Sequence, residues 1–356
     1  MPASRSLIAP TSNPLLERAL VDKLARRAEA AGSLGELVPL AVRLGLMQNT
    51  LKPRFRDPQL VVFAADHGMA VDDIDPVSRH QTSEQVRQLL GGQLPLSVFA
   101  RIQHIGLTVV DCGVADDIAA HERLLMRKIA HGTRNARVTG AMTPEQAHAA
   151  MRAGMEIGDS LRGNMLVCAG IGVGSHFSAA LVLSRLADAP LRDLLASGPA
   201  MDPDTLDRLV ALAQAVHTRH RDLHEPVQLL AAFGGFEVAM MVGVMLVAAS
   251  KRHMLMIDGM AACAALMLAS RIASPITDYC VFCRSHPHRG LDNALHLFRA
   301  SALLELGLNS MDGTGATLAW PLVRSAAALL TEVADGEEAG PSRPAPMPEA
   351  PAPNGG

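Results

Sequence analysis

Five short apolar segments constrain the fold of this chain most strongly. They lie at residues 59–65, 107–111, 165–168, 254–257 and 277–282. Each is too short for an ordinary helix and runs into a turn of Asp, Gly or other polar residues, and longer stretches with helical spacing separate them. Strands that alternate with helices in this way form a parallel sheet that is buried on both faces. The pattern predicts an α/β fold with its functional site along the carboxyl ends of the strands.

Composition narrows the class of protein. Apolar residues make up 49% and charged residues 19% of 356 positions, which is enough for a substantial core. Aromatic residues make up only 3%, so Ala, Leu, Val and Met must fill the interior. Few aromatic side chains argue against a base-stacking surface, and a net charge of −3 gives no attraction for polyanions. We therefore expect neither a nucleic-acid partner nor a membrane partner.

Cysteine usage and the first residues of the chain predict a compartment. The five cysteines are an odd number scattered through apolar segments, which favours reduced thiols over a disulfide framework. Residues 1–14 lack the apolar core of a signal peptide. The apolar run at residues 238–249 is too short to span a bilayer. We expect a soluble cytoplasmic protein.

A glycine-rich turn carries the first candidate for chemistry. Asp312 comes directly before Gly313-Thr314-Gly315, and an apolar helical pattern follows. The glycines allow a ligand to approach closely, and free N–H groups at the start of a helix attract anions. A possible base and a possible anion site would then lie side by side. The alternative is a tight turn that only begins the helix, and the spacing leaves both interpretations open.

A second glycine-rich segment, GIGVGS at residues 170–175, follows the third predicted strand. It suits a phosphate loop, because N–H groups at the start of a helix point at an anion. It equally suits a tight strand-to-helix turn, and it is neither a Walker loop nor the dinucleotide-binding fingerprint. Asp66-His67-Gly68, after the first predicted strand, suits either an acid/base pair or a turn cap beside a packed histidine.

Two further groups of polar residues also have a structural and a functional interpretation. Gly235 and Glu237 open an apolar helix, where the helix dipole favours the carboxylate and contact with a ligand is equally open. Cys280 and Cys283, followed by two histidines, have the residue types of a metal site. Because Cys280 lies inside a predicted buried strand, a buried thiol is the favoured interpretation. We predict no metal and no cofactor.

Seven segments, taken together, resemble one enzyme family. They read VVFAADHG, GGQLPLSVFAR, HGTRNARVTGAMTPEQA, GIGVGS, GGFEVAMMVGVMLVAA, IDGMAACAALMLA and MDGTGATLAWPLV, in colinear order within residues 15–332. They are similar to nicotinate-nucleotide–dimethylbenzimidazole phosphoribosyltransferase, which makes the lower-ligand nucleotide of cobalamin. The resemblance implies transfer of the phosphoribosyl group of nicotinate mononucleotide to a benzimidazole-type base, with release of nicotinate.

The resemblance also implies an architecture. It consists of a Rossmann-like parallel sheet flanked by helices at residues 51–300, and a small helical domain built from both ends of the chain. Residues 1–50 would supply the N-terminal helices of that domain, and residues 301–334 the C-terminal helices that complete the site. A homodimer is implied as well. The Pro-, Ala- and Gly-rich tail at residues 335–356 has nothing to bury, and we expect disorder there.

The same resemblance assigns roles to residues. Asp312 stands where the family has a glutamate, the general base that takes a proton from the attacking base, and its side chain is one methylene shorter. We expect substrate contacts from polar and glycine residues of the matching segments, of the base-binding loop around residues 75–79, and of a polar loop predicted at residues 284–290. They are Asp66, His67, Gly68, Asp75, Arg79, Gly172, Gly174, Ser175, Gly235, Asp258, Arg284, Ser285, Gly313, Thr314 and Gly315.

Several positions depart from the family's pattern. Gly170 replaces an acidic residue of the glycine-rich loop, Leu209 falls where the phosphate-binding region has a lysine, and Val77 replaces an aromatic residue of the base-binding loop. Three hypotheses follow. They are the family reaction, a divergent transferase that uses another base or another nucleotide donor, and a non-catalytic paralogue that binds a nucleotide or a partner protein.

Overall fold

Six parallel strands form one sheet in the computed structural model, which describes residues 7–26, 33–74, 81–196, 201–284 and 289–333. The strands are β1 (Gln59–Ala65), β2 (Gly106–Gly113), β3 (Leu124–Met126), β4 (Met165–Ile171), β5 (Met254–Ile257) and β6 (Cys280–Phe282). Their order is β3-β2-β1-β4-β5-β6, and every neighbouring pair is parallel. The predicted α/β fold with a parallel sheet is confirmed.

The strand order reverses at β1, which lies between β2 and β4. The chain builds outward from β1 to β2 and β3, and it then crosses to the other side to build β4, β5 and β6. In sheets of this kind the connections diverge at the reversal and leave a crevice beyond the carboxyl ends of the strands. The residues that follow β1 and β4 therefore border that crevice.

Helices cover both faces of the sheet. They are α1 (Pro14–Ala25), α2 (Leu37–Gln48), α3 (Thr82–Leu90), α4 (Pro95–Ile102), α5 (Pro144–Ser160), α6 (Ser175–Ala187), α7 (Leu191–Leu195), α8 (Pro203–Arg219), α9 (Pro226–Phe233), α10 (Phe236–Ser250), α11 (Met260–Ile272), α12 (Arg289–Leu297) and α13 (Thr314–Thr331). Two 3₁₀ helices, Gly68–Asp72 and Ser274–Tyr279, complete the described elements. No helix in the described ranges is long and apolar enough to cross a membrane.

The α10 helix is the central helix of the core. Almost every residue of it is buried, and it packs against α5 through glycines on both helices. A Cβ atom added to Gly154 would lie 2.0 Å from the carbonyl oxygen of Met240, and one added to Gly243 would lie 2.1 Å from that of Met151. The two backbones are therefore in direct contact, which only glycine permits.

The two ends of the described chain meet at α13. This helix packs on α2 and α1 from the N-terminal segment and on α4 from the sheet layer. Trp320 of α13 meets Phe55 edge-on, with ring centroids 5.3 Å apart. The contact between the terminal segments agrees with a small helical domain, although its boundaries stay a prediction. The tail at residues 335–356 lies outside the described residues.

Some predicted elements need correction. The fifth predicted strand, residues 277–282, is a strand only over Cys280–Phe282, because Ser274–Tyr279 forms a 3₁₀ helix with a proline in its first turn. The three-residue strand β3 was not predicted, since it is too short for a periodic pattern. The polar loop predicted at residues 284–290 is also wrong in part, because α12 begins at Arg289.

Candidate functional site

Asp312 lies just before α13, and its carboxylate contacts the start of α11. Asp312 Oδ2 accepts a hydrogen bond from the backbone N–H of Ala261 at 3.3 Å. A Cβ atom added to Gly259 would lie 2.0 Å from Asp312 Cγ, so this close contact needs a glycine. Gly259 also has a φ of +100°, a conformation that side chains disfavour. The start of α11 therefore holds the carboxylate in place.

One arginine is shared by two carboxylates. Arg284 follows β6, and its Nε lies 2.6 Å from Asp258 Oδ1 while its Nη2 lies 3.6 Å from Asp312 Oδ1. The guanidinium also donates to Ser310, from Nη1 to the hydroxyl at 2.9 Å and from Nη2 to the carbonyl at 3.1 Å. Its side chain passes against Gly315, where an added Cβ would lie 2.8 Å from Arg284 Cδ. The guanidinium is thus buried and engaged by protein groups.

The N-terminus of α13 already holds an anion. Asp258, which follows β5, is buried, and its Oδ2 accepts a hydrogen bond from the N–H of Ala316 at 3.1 Å. Burial raises the pKa of Asp258 above its usual range, although Arg284 and the N–H groups of Ala316, Gly315 and Gly313 oppose this shift. The expected anion cradle at this turn therefore binds a carboxylate of the protein itself.

The environment of Asp312 makes its carboxyl group unusually basic. Burial raises the pKa of Asp312 from 3.8 to about 7. Arg284 and the N–H groups of Met260 and Ala261 lower this pKa, whereas the negative charge of Asp258 raises it. A carboxyl group that titrates near neutral pH is well suited to accept a proton during catalysis.

A cavity of about 320 Å³ opens beside Asp312. It lies beyond the carboxyl end of β4, between the starts of α6 and α11. Its lining includes Gly170, Gly172, Ser175, Met260, Ser310 and Asp312. A larger groove, of about 580 Å³, lies between residues 53–55 and α13 and contains none of the predicted substrate-binding residues. The smaller cavity is therefore the candidate site.

A buried polar cluster lies behind the cavity wall. Glu237 Oε1 is 2.9 Å from His67 Nε2 and accepts a hydrogen bond from the Ser175 hydroxyl at 2.9 Å. A Cβ atom added to Gly235 would lie 2.1 Å from Glu237 Oε2 and 2.5 Å from His67 Cε1. Burial lowers the pKa of His67, but Glu237 and Asp66 outweigh it, so the pKa is raised above 6.5.

Asp66 connects three segments around the end of β1. Its Oδ1 accepts a hydrogen bond from the Thr82 hydroxyl of α3, and its Oδ2 accepts one from the N–H of Ala115 at 2.7 Å. Its backbone carbonyl accepts from the N–H of Thr133 at 3.0 Å. A Cβ atom added to Gly68 would lie 2.5 Å from Thr133 O. These contacts fix the loop between β3 and α5 against the end of β1.

Comparison with known proteins decides the family of this chain. A family model described as phosphoribosyltransferase matches residues 9–340. The chain belongs to this phosphoribosyltransferase family. Two relatives named nicotinate-nucleotide–dimethylbenzimidazole phosphoribosyltransferase are similar over nearly their whole length. The one from Cupriavidus taiwanensis is 40% identical and aligns over 94% of this chain and 96% of its own. The one from Dechloromonas aromatica is 39% identical and aligns over 91% of this chain and 95% of its own.

Solved structures agree with this assignment. The structure of CobT from Thermus thermophilus superposes with a TM-score of 0.86 at 28% sequence identity, covering 93% of this chain and all of its own. A second structure from that organism, a nicotinate-nucleotide–dimethylbenzimidazole phosphoribosyltransferase, gives a TM-score of 0.83 at the same identity and coverage. The family resemblance found in the sequence is confirmed.

The phosphoribosyltransferase brings most of its predicted site residues together in two groups. Asp258, Arg284, Asp312 and the 313–315 turn lie on one side of the cavity, and the Gly172–Ser175 loop lies on the other, with His67 and Gly235 behind it. Asp66 and Gly68 lie at the edge, in the loop contacts of β1. Asp75, Arg79 and Ser285 lie outside the described residues.

Glu237 was not among the predicted site residues. It is fully buried, and Oε2 has no hydrogen-bond partner among the described residues. The sequence does contain a signal for it, because Glu237 is the one charged residue in the otherwise apolar helix α10. A carboxylate in a helix that is apolar on all sides must be buried, and a buried charge needs partners.

Two positions that depart from the family's pattern have clear surroundings. A Cβ atom added to Gly170 would lie 2.6 Å from the methyl carbon of Ala261, so an acidic side chain has no room there. Leu209 is buried in α8. Val77 lies outside the described residues.

Proposed function

We propose that this protein transfers the phosphoribosyl group of nicotinate mononucleotide to a benzimidazole-type base, giving α-ribazole phosphate and nicotinate for the lower ligand of cobalamin. The observation that carries the proposal is the Asp312 carboxylate, which borders the cavity at the strand ends and has a pKa of about 7. The names of the full-length relatives support the substrates. The proposal includes a cytoplasmic homodimer with a small helical domain, as the resemblance implies.

The chemistry needs little from the protein beyond one base. The ring nitrogen of the benzimidazole forms a bond to the anomeric carbon of the ribose, and the bond from that carbon to nicotinate breaks. Nicotinate leaves from a cationic pyridinium as a neutral ring, so it needs no acid. The attacking base must lose its N–H proton, which passes to Asp312. General-base catalysis supplies about 10²- to 10⁴-fold in such steps, and positioning supplies more.

The geometry around Asp312 supports this role. The Ala261 N–H donates to the carboxylate and Arg284 lies 3.6 Å from it, so both restrict where the carboxylate lies. On the opposite wall, α6 begins at Ser175, and Gly172 and Ser175 line the cavity. The start of a helix attracts anions, so we assign the phosphate of the nucleotide to this end of α6.

A turnover assay with nicotinate mononucleotide and dimethylbenzimidazole, following nicotinate release, tests the proposal. We expect product in proportion to enzyme, and a loss of about 10²- to 10⁴-fold in Asp312→Ala. Asp222→Ala is the matched control, because its side chain is 89% exposed and its charged neighbour is Arg221. Full activity in Asp312→Ala would contradict the base assignment. Nucleotide binding without turnover would favour another base or a binding role.

A further inference from the structure

We propose that Arg284 is a positioning residue that divides one positive charge between Asp258 and Asp312 and so holds Asp312 in place as a proton acceptor. This proposal depends on the proposed function in one respect only: the molecule that gives its proton to Asp312 is the attacking base. It replaces the sequence-based expectation that Arg284 contacts substrate, because the guanidinium is buried and its nitrogens already face protein groups.

The geometry of the guanidinium carries the argument. Its three nitrogens all face protein oxygens. Nε lies 2.6 Å from Asp258 Oδ1, and Nη1 donates to the Ser310 hydroxyl at 2.9 Å. Nη2 donates to the Ser310 carbonyl at 3.1 Å and lies 3.6 Å from Asp312 Oδ1. Only the planar fork of arginine spans such a set, because the ammonium of lysine is a single point. The shorter contact binds Asp258, and the longer one leaves Asp312 able to bind a proton.

The net charge of Asp258, Asp312 and Arg284 explains why Asp312 can bind a proton. Two ionised carboxylates and one guanidinium leave a net charge of −1, and a proton on Asp312 brings it to zero. The other titratable groups that face Asp312 within the described ranges are the Cys263 thiol of α11 and, across the cavity, the His176 ring of α6. A buried excess negative charge favours proton uptake. An isolated pair of Arg284 and Asp312 would instead hold the aspartate ionised.

The test compares two substitutions that act in opposite directions on the pH profile of kcat/KM. Arg284→Lys leaves the ammonium on Asp258 and removes positive charge from Asp312, so the acid limb moves up by about 1 to 3 pH units. Asp258→Asn removes the competing carboxylate, so the acid limb moves down. Ser310→Ala is the control, since it removes one contact of the guanidinium and no charge. A lower rate with an unmoved profile in both charge variants would overturn the proposal.

A measurement without substrate separates this proposal from the proposed function. The free energy of unfolding is measured as a function of pH for the native protein and Asp312→Asn. The same comparison is then made between Asp258→Asn and the double variant that carries both substitutions. The difference between the two curves stops growing at the folded-state pKa of Asp312, and the proposal requires this pH to fall when Asp258 is replaced. That shift in a protein inactive on nicotinate mononucleotide would count against the function and for the role of Arg284. No shift in an active protein would overturn the role of Arg284, even if Arg284→Lys fails to fold.

Discussion

Replacing Asp312 with Asn changes how the stability of the free protein depends on pH. In the folded protein, burial raises the pKa of Asp312 from 3.8 to about 7. Below pH 3.8 the carboxyl group is protonated in both the folded and the unfolded state, and it imposes no penalty. Above this value the unfolded chain releases the proton while the folded protein keeps it, so stability is lost as the pH rises to about 7.

The size of the effect follows from the two pKa values. Between pH 5 and pH 8 the free energy of unfolding of the native protein falls by roughly 2 to 3 kcal/mol relative to Asp312→Asn. The amide has nearly the shape of the carboxylate and still offers an oxygen to the N–H of Ala261. Asp258 is present in both proteins, so most of its own titration cancels in the difference.

Urea unfolding at a series of pH values measures this difference. Asp222→Asn is the control, because its exposed side chain gives no reason for a pH-dependent difference from the native protein. A difference between the native protein and Asp312→Asn that stays constant from pH 5 to pH 8 would refute the raised pKa of the partly buried Asp312 carboxyl group. The assay uses no substrate, so it tests the site independently of the reaction.

Three further predictions follow from the site. The kcat/KM of the native protein falls about tenfold for each pH unit below about 7, because only the ionised form of Asp312 accepts a proton; a profile that stays flat down to pH 5 would contradict this. Glu237→Gln lowers the pKa of His67, measured by NMR titration, because the carboxylate that raises this pKa is gone. The contribution of the His67–Glu237 pair to the free energy of unfolding is full below pH 6.5 and is lost as the pH rises through the raised pKa of His67. Gly235→Ala lowers the free energy of unfolding by roughly 2 kcal/mol or more, because its methyl group would overlap Glu237 and His67. Gly140→Ala, whose added carbon would have no neighbour closer than 3.4 Å, is the control in the same melting experiment.

The sheet could be predicted from the sequence because its evidence is local. Strands β1, β2, β4 and β5 are apolar runs that end in Asp or Gly, so each can be recognised within ten residues. The buried strands need no alternation, and the polar residues behind them mark the edge with the site. β3 has three residues and presents no such pattern. The sequence alone could not supply it.

The site could be predicted only in part, because its decisive contacts join distant segments. Asp258 binds the N–H of Ala316, 58 residues later in the chain, and so takes the anion position that the glycine turn offers. Nothing near residue 313 in the sequence indicates that occupant. Arg284 likewise looks like a surface residue of a polar loop, and its burial against Gly315 depends on the tertiary fold.

The packing of α13 on α2 and α4 has a consequence for the order in which this protein becomes active. All six strands lie before residue 283, whereas Asp312 comes later and is positioned by α13. A chain still on the ribosome, with β6 just emerged, contains all six described strands but still lacks Asp312, the proposed proton acceptor. On the proposed function, catalytic competence therefore arrives only after the sheet is complete, when α13 docks against α2 and α4.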